Sequence, residues 1–157
     1  MDGKIGVFGY GPVGADAVAR LAAQGRPVRV CQRSRSAALP EGVEFIACDA
    51  LDTDSVTAAV AGLSQVVLAV GLPYVGAVWR EAWPRVMTNF VDACAKTGAR
   101  LVFFDNLYMY GPQTTPLSET TSLQPVGVKP ATRVAITRLW QAASAAGRLK
   151  VAAGARQ

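Results

Sequence analysis

Apolar residues along this chain fall in short continuous or alternating runs, separated by longer stretches in which apolar positions recur every three or four residues. The first pattern predicts strands, several of them buried on both faces, and the second predicts helices laid against them. Ile5, Val7 and Phe8 open the series, and Ala15 to Ala23 is a strong helix former stopped by Gln24-Gly25-Arg26-Pro27. Val28 to Cys31 reads as a second strand, and Val43 to Cys48, after a loop broken by Pro40, as a third. Thr53 or Asp54 then caps a helix running to about Ala61. Gln65 to Val70 is a fourth strand. Val78 to Lys96 is an amphipathic helix whose regular part begins near Trp83, because Pro84 is tolerated only in a first turn or at a kink. Leu101 to Phe104 is a fifth strand; Pro130 opens a last helix through Ala146; Leu149 to Ala153 can begin a short sixth strand. This alternation predicts an α/β doubly wound parallel sheet, order 3-2-1-4-5 with a short sixth strand, in one domain over 1–157.

Between the first strand and the first helix stands Gly9-Tyr10-Gly11-Pro12-Val13-Gly14, a G-x-G-x-x-G at a strand-to-helix turn. Gly9 permits the turn, Gly11 lets backbone approach a pyrophosphate, and Gly14 lets the helix pack against the strand. A helix N-terminus favours negative charge through its unpaired amides, so Gly9 to Gly14 are expected to bind a dinucleotide in a Rossmann-type domain. At the tip of the second strand, NAD sites carry an acidic residue for the ribose 2′-hydroxyl, whereas an arginine accommodates the 2′-phosphate of NADP. This chain offers Gln32-Arg33-Ser34-Arg35 and no carboxylate there. The cofactor is therefore expected to be NADP rather than NAD, held by Arg33 with help from Ser34 or Arg35, unless this tip is a solvated turn. Asp49 and Ala50, after the third strand, either face the adenine or belong to a plain loop. Gly71, after the fourth, either approaches the cofactor or simply ends the strand.

Composition narrows the choice of chemistry. With 51% hydrophobic and 17% charged residues the chain is globular, not disordered. The net charge of +5 suits a phosphorylated ligand, and the absence of any block of consecutive basic residues argues against nucleic acid. No apolar run approaches the roughly 18 residues of a membrane span. The N-terminus, with Asp2 and an immediate strand, lacks the layout of a signal peptide, so the expected location is the cytoplasm. Cys31, Cys48 and Cys94 are odd in number and lack metal-ligand spacing, so reduced core thiols are expected and no metal site. There is no histidine, which removes His-based metal sites and Ser-His-Asp or Cys-His hydrolysis.

With these segments placed, the chain resembles the extended and atypical short-chain dehydrogenase/reductase superfamily, the group of NAD-dependent epimerases and dehydratases. The resemblance rests on the glycine motif, Cys48-Asp49, Asn89-Phe90-Val91-Asp92-Ala93-Cys94, Asp105 to Gly111 in the place of S-S-x-x-V-Y-G, and Pro116-Leu117-Ser118-Glu119. It implies an oxidoreductase acting on a small carbonyl compound or a sugar nucleotide. It also implies a Tyr as acid/base, a Lys four residues on, and a Ser at the substrate oxygen. Here the chain departs from it. Counted without gaps from Pro125, the Tyr and Lys positions fall on Lys129 and Arg133, the Ser positions are Asp105 and Asn106, and no Y-x-x-x-K occurs anywhere. Tyr108 or Tyr110 is left as a proton donor, with Lys129 to polarise a carbonyl or hold a phosphate; the structural alternative is that both tyrosines simply pack. The substrate region that follows in the superfamily is expected to be absent. Two functions are open: an NADP-dependent epimerase-like enzyme with altered catalytic groups, and a non-catalytic NADP-binding module that regulates or pairs with another chain. The uncovered end of the sheet is expected to favour a homo-oligomer.

Overall fold

A computed structural model of the chain describes residues 3–155; Asp2 and the last two residues, Arg156 and Gln157, lie outside the described residues. The elements are β1 (Ile5–Phe8), α1 (Pro12–Ala23), β2 (Val28–Gln32), β3 (Glu44–Ala47), α2 (Thr53–Val60), β4 (Gln65–Leu68), α3 (Gly76–Thr97), β5 (Arg100–Asp105), a single 3₁₀ turn at Tyr108–Tyr110, α4 (Val128–Ala145) and β6 (Val151–Ala155). All strand pairs are parallel, and the sheet order is β3-β2-β1-β4-β5-β6. This is the doubly wound Rossmann-type arrangement that the alternating pattern predicts, with the sixth strand present and set two residues later.

Neighbouring strand residues point to opposite faces and sort the core into two parts. Val7 meets Val18, Val28 and Val30 beneath α1. Phe8 turns the other way, onto Phe90 with ring centroids 4.8 Å apart, in the larger core that β4 and β5 share with α2, α3 and α4. The α1 side is not covered across its whole width. Val67 packs there, Val102 lies beside it in register, and Ala152 lies beside Val102. Beyond the reach of α1, Phe104 is 42% exposed and Ala152 is also exposed.

Three elements differ from expectation. α1 begins at Pro12, not Ala15: proline at the first helical position has its φ already set, and Gly11, in extended conformation, is the N-cap. The motif's second half is thus the first helical turn. α3 begins at Gly76 and runs through Pro84, although the proline removes one intrahelical bond at a cost of about 3 kcal/mol. Trp79 and Trp83, both on the turns before the proline, are almost wholly buried, and each such side chain contributes roughly 2–3 kcal/mol, which offsets that loss. α2 is capped by Asp52, whose carboxylate accepts from the Ser55 amide at 2.6 Å, not by Thr53 or Asp54. Thr53 instead donates to Asn89 on α3.

The three cysteines are free and buried. Burial pushes the Cys31 and Cys94 thiols up to about 12, Cys31 further raised by nearby Cys48, and burial also raises Cys48. Native protein at pH 8 is therefore expected to react with a chromogenic disulfide far more slowly than free cysteine does. Unfolding in guanidinium should release three equivalents at once. Fast reaction of any thiol in the folded state would contradict this placement.

Candidate functional site

The carboxyl ends of β1, β2, β3 and β4 open onto a cleft of about 710 Å³. The turn from β1 into α1 forms its floor. Gly9 has a φ of 94°, and a side chain there would come within 2.6 Å of the Ala69 carbonyl oxygen. The first intrahelical bond of α1 runs from the Ala15 amide to the Gly11 carbonyl, at 2.8 Å, which leaves the Val13 and Gly14 amides ahead of the ladder. A Cβ built on Gly11 meets nothing within 4 Å, so the space above this turn is open to a ligand. A Cβ on Gly14 would instead collide with the Gly9 carbonyl oxygen.

Of the residues singled out in the sequence, Gly9, Tyr10, Gly11, Pro12, Val13, Arg33, Ser34, Asp49, Ala50 and Gly71 line this cleft. Gly14 lies beneath it as a packing contact. Arg35 does not line it; its guanidinium sits over the Phe45 ring, 5.8 Å from the centroid. Asp49 uses one carboxylate oxygen on the Leu51 amide at 2.9 Å, which closes its own turn. Gln32 was not singled out, yet it ties the site together: its side-chain oxygen accepts from the Tyr10 amide at 3.0 Å and its NH₂ donates to the Ser34 carbonyl at 2.8 Å. The Tyr10 hydroxyl reaches the Ala38 carbonyl at 3.2 Å, so the 33–43 loop is fastened to the glycine turn at two points. Asn89 does the same for the far wall, donating to the Ala50 carbonyl at 3.0 Å. The signal for Gln32 is its place at the tip of an alternating strand; Asn89 opens one of the segments that carry the family resemblance, but nothing in the local sequence shows that its side chain ties α3 to the loop after β3.

A second cavity, about 720 Å³, adjoins it at the end of β5 and is lined by Tyr74, Asn106, Tyr108, Gly111, Val126 and Lys129, among others. The structure brings Tyr108 and Lys129 to this one cavity; Tyr110 does not line it. The Lys129 ammonium lies 3.1 Å from the centre of the Tyr74 ring. A hydrogen bond with Tyr74, followed by burial, pushes the Tyr108 phenol above its ordinary value of 10, and the charges of Lys129 and Arg133 pull it back only in part. Tyr108 is therefore protonated at neutral pH.

Behind this cavity lie Asp105 and Arg133, which the resemblance leads one to expect at the Ser and Lys of the relay. Asp105 and Arg133 form an ion pair at 3.2 Å with side chains 4% and 6% exposed. The Arg133 guanidinium is stacked over Trp83 at 4.1 Å and Trp79 at 4.6 Å, with Phe103 at 5.9 Å. Its Nε and Nη1 find no aligned acceptor among the described residues, so the pair is held by charge and ring faces more than by hydrogen bonds. Burial pushes the Asp105 carboxyl up against the opposing pull of Arg133.

The family model for the NAD dependent epimerase/dehydratase family matches residues 5–155. The chain belongs to that family. No curated protein matches it. Among solved structures, it is similar to a short-chain dehydrogenase/reductase superfamily protein from Agrobacterium tumefaciens with bound NAD, at 24% identity and TM-score 0.83, over 96% of this chain and 48% of that one. It is similar to UDP-glucose 4-epimerase from Thermus thermophilus in complex with NAD, at 22% identity and TM-score 0.82, over 96% and 53% of the two chains. It is also similar to MoeE5 in complex with UDP-glucose and NAD, at 26% identity and TM-score 0.79, over 98% and 53%. The chain thus spans about half the length of these proteins. Its sequence carries G-x-G-x-x-G at Gly9 to Gly14 and contains no Y-x-x-x-K. Among the described residues no cluster of acidic, Cys or His side chains is placed to hold a metal, and no helix is long and apolar enough to cross a membrane.

Proposed function

We propose that this domain binds NADP in the cleft above the β1–α1 turn and presents it to a carbonyl compound or sugar nucleotide at the adjoining cavity. The observation that carries this reading is the open space over Gly11, directly ahead of the unpaired Val13 and Gly14 amides, in a cleft large enough for a dinucleotide. Val13 and its neighbours would receive the pyrophosphate, Asp49 and Ala50 the adenine, and Gly71 the nicotinamide half. When bound, the nicotinamide supplies a hydride donor or acceptor. Tyr108, neutral and partly exposed beside it, would give a proton to the developing alkoxide, with Lys129 at the same cavity to stabilise negative charge.

NADP is favoured over NAD because Arg33 and Ser34 face the cleft with no carboxylate between them, and no described residue forms an ion pair with Arg33. A charge-assisted hydrogen bond contributes about 1.5–3 kcal/mol, which corresponds to on the order of ten- to a hundredfold preference. Calorimetric titration with NADPH and NADH is expected to show that ratio, and Arg33→Ala should erase most of it while changing NADH affinity little. Equal affinities in wild type would sink the assignment.

A second reading, a non-catalytic NADP-binding module that pairs with another chain, is favoured by one observation. The positions of the superfamily's Ser and Lys are spent on the buried Asp105–Arg133 pair. The bare surface around Phe104 and Ala152 is where such a module could meet a partner or a second copy. NADPH oxidation with a panel of carbonyl compounds and sugar nucleotides separates the two: turnover lost in Tyr108→Phe supports the enzyme, and tight binding without turnover supports the module.

A further inference from the structure

We propose that Arg133 is a positioning residue for Tyr108 and acts through the Trp79 ring. This role rests on the reading of Tyr108 as proton donor. Tyr108 completes a triangle of rings with Trp79 and Tyr74: it lies nearly parallel to Trp79, 6.2 Å between centroids and 22° between planes, and edge-on to Tyr74 at 6.3 Å, while Tyr74 meets Trp79 edge-on at 5.6 Å. Each neighbour is held by one cation. Lys129 covers the face of Tyr74 at 3.1 Å, and Arg133 covers Trp79 at 4.6 Å. Both cations are on α4, four residues apart and so on one face of the helix.

The choice of arginine is informative. An apolar residue would fill the space among Trp79, Trp83 and Phe103 without burying a charge, and buried ion pairs are generally no more stable than well-packed apolar replacements. What an aliphatic side chain or a lysine does not supply is a charged planar group able to lie flat on indole faces. Asp105 on β5 balances its charge from behind. The groups facing Tyr108 are therefore Tyr74 from the loop after β4, Lys129 and Arg133 from α4, and, behind Arg133, Asp105 from β5. In this arrangement the residue at the superfamily's Lys position still serves the tyrosine that remains, by fixing its ring instead of by touching its hydroxyl.

Arg133→Lys separates the two roles, because it keeps the charge opposite Asp105 and removes the plane. The variant should fold, and two readouts should move. The nuclear Overhauser contact between the Tyr108 and Trp79 rings should disappear. The phenolate absorbance step that is missing in Tyr108→Phe should shift down toward the ordinary value near 10. Should Arg133→Lys fail to fold, Asp105→Leu combined with Arg133→Met provides an apolar replacement of the pair, and the same ring contact should be lost there. A ring contact that persists in either folded variant overturns the proposal. Turnover that survives Tyr108→Phe would instead remove the proton-donor reading and leave the positioning result intact.

Discussion

Gly11→Ala is expected to give a folded protein that has lost its dinucleotide, with affinity reduced about a hundredfold or more, equivalent to roughly 3 kcal/mol. Gly11 is the N-cap of α1 with φ −77° and ψ −170°, a conformation open to any residue, and a Cβ there touches no protein atom. Alanine is a poorer N-cap than glycine, so the exchange should cost the fold about 1 kcal/mol, too little to unfold it. The methyl group would project into the space through which the Val13 and Gly14 amides reach a phosphate. Gly14→Val should behave in the opposite way. Its Cβ would run into the Gly9 carbonyl oxygen, and relief requires α1 to lift off β1, against the packing of Val7 and Val18. Such overpacking against backbone costs about 3 kcal/mol or more, enough to threaten a marginally stable domain. Calorimetry with NADPH and a urea melt on both variants check the contrast. A folded Gly11→Ala that binds as wild type does would remove the pyrophosphate site from this turn.

Asp105→Ala is expected to destabilise the domain by about 3–5 kcal/mol, because it leaves the Arg133 guanidinium buried among three aromatic rings with no counter-charge. The cost measures the abandoned charge rather than the strength of the pair. Asp105 itself is raised by burial, so the fold already opposes its ionised form. Removing both charges, as Asp105→Leu with Arg133→Met, should accordingly recover most of the loss. Urea unfolding of the single and double variants tests this, and a double variant as unstable as the single one would mean that packing, not charge, is at stake.

Much of this was legible in the sequence for a physical reason: parallel strands buried on both faces are short runs rich in Val, Ile, Leu and Phe, and their length and the Gly and Pro that bound them separate them from buried helix. The order of the sheet followed, as did the residues at the carboxyl ends of the strands. What was hidden depends on long-range contact. Pro84 looks like a helix start because its cost is local, while the burial of Trp79 and Trp83 that overrides it is not. Pro12 and Gly14 look like a turn, although their backbone is already helical. In the sequence Arg133 is marked only by falling at the superfamily's Lys position, and only the fold shows the rings that enclose it. Arg35 is a helper to Arg33 in the sequence reading, and only the path of the 33–43 loop shows that it goes to Phe45 while Arg33 lines the cleft.

The tryptophans on α3 also make the protein its own optical probe. Trp79 follows Val78, a wall residue of the cofactor cleft, and both Trp79 and Trp83 are shielded from water beside a guanidinium. Their emission should lie toward the blue and be partly quenched. A reduced nicotinamide seated at the end of β4 would absorb that emission and return it at its own longer wavelength. Occupancy of the cleft can then be followed by energy transfer in unlabelled protein.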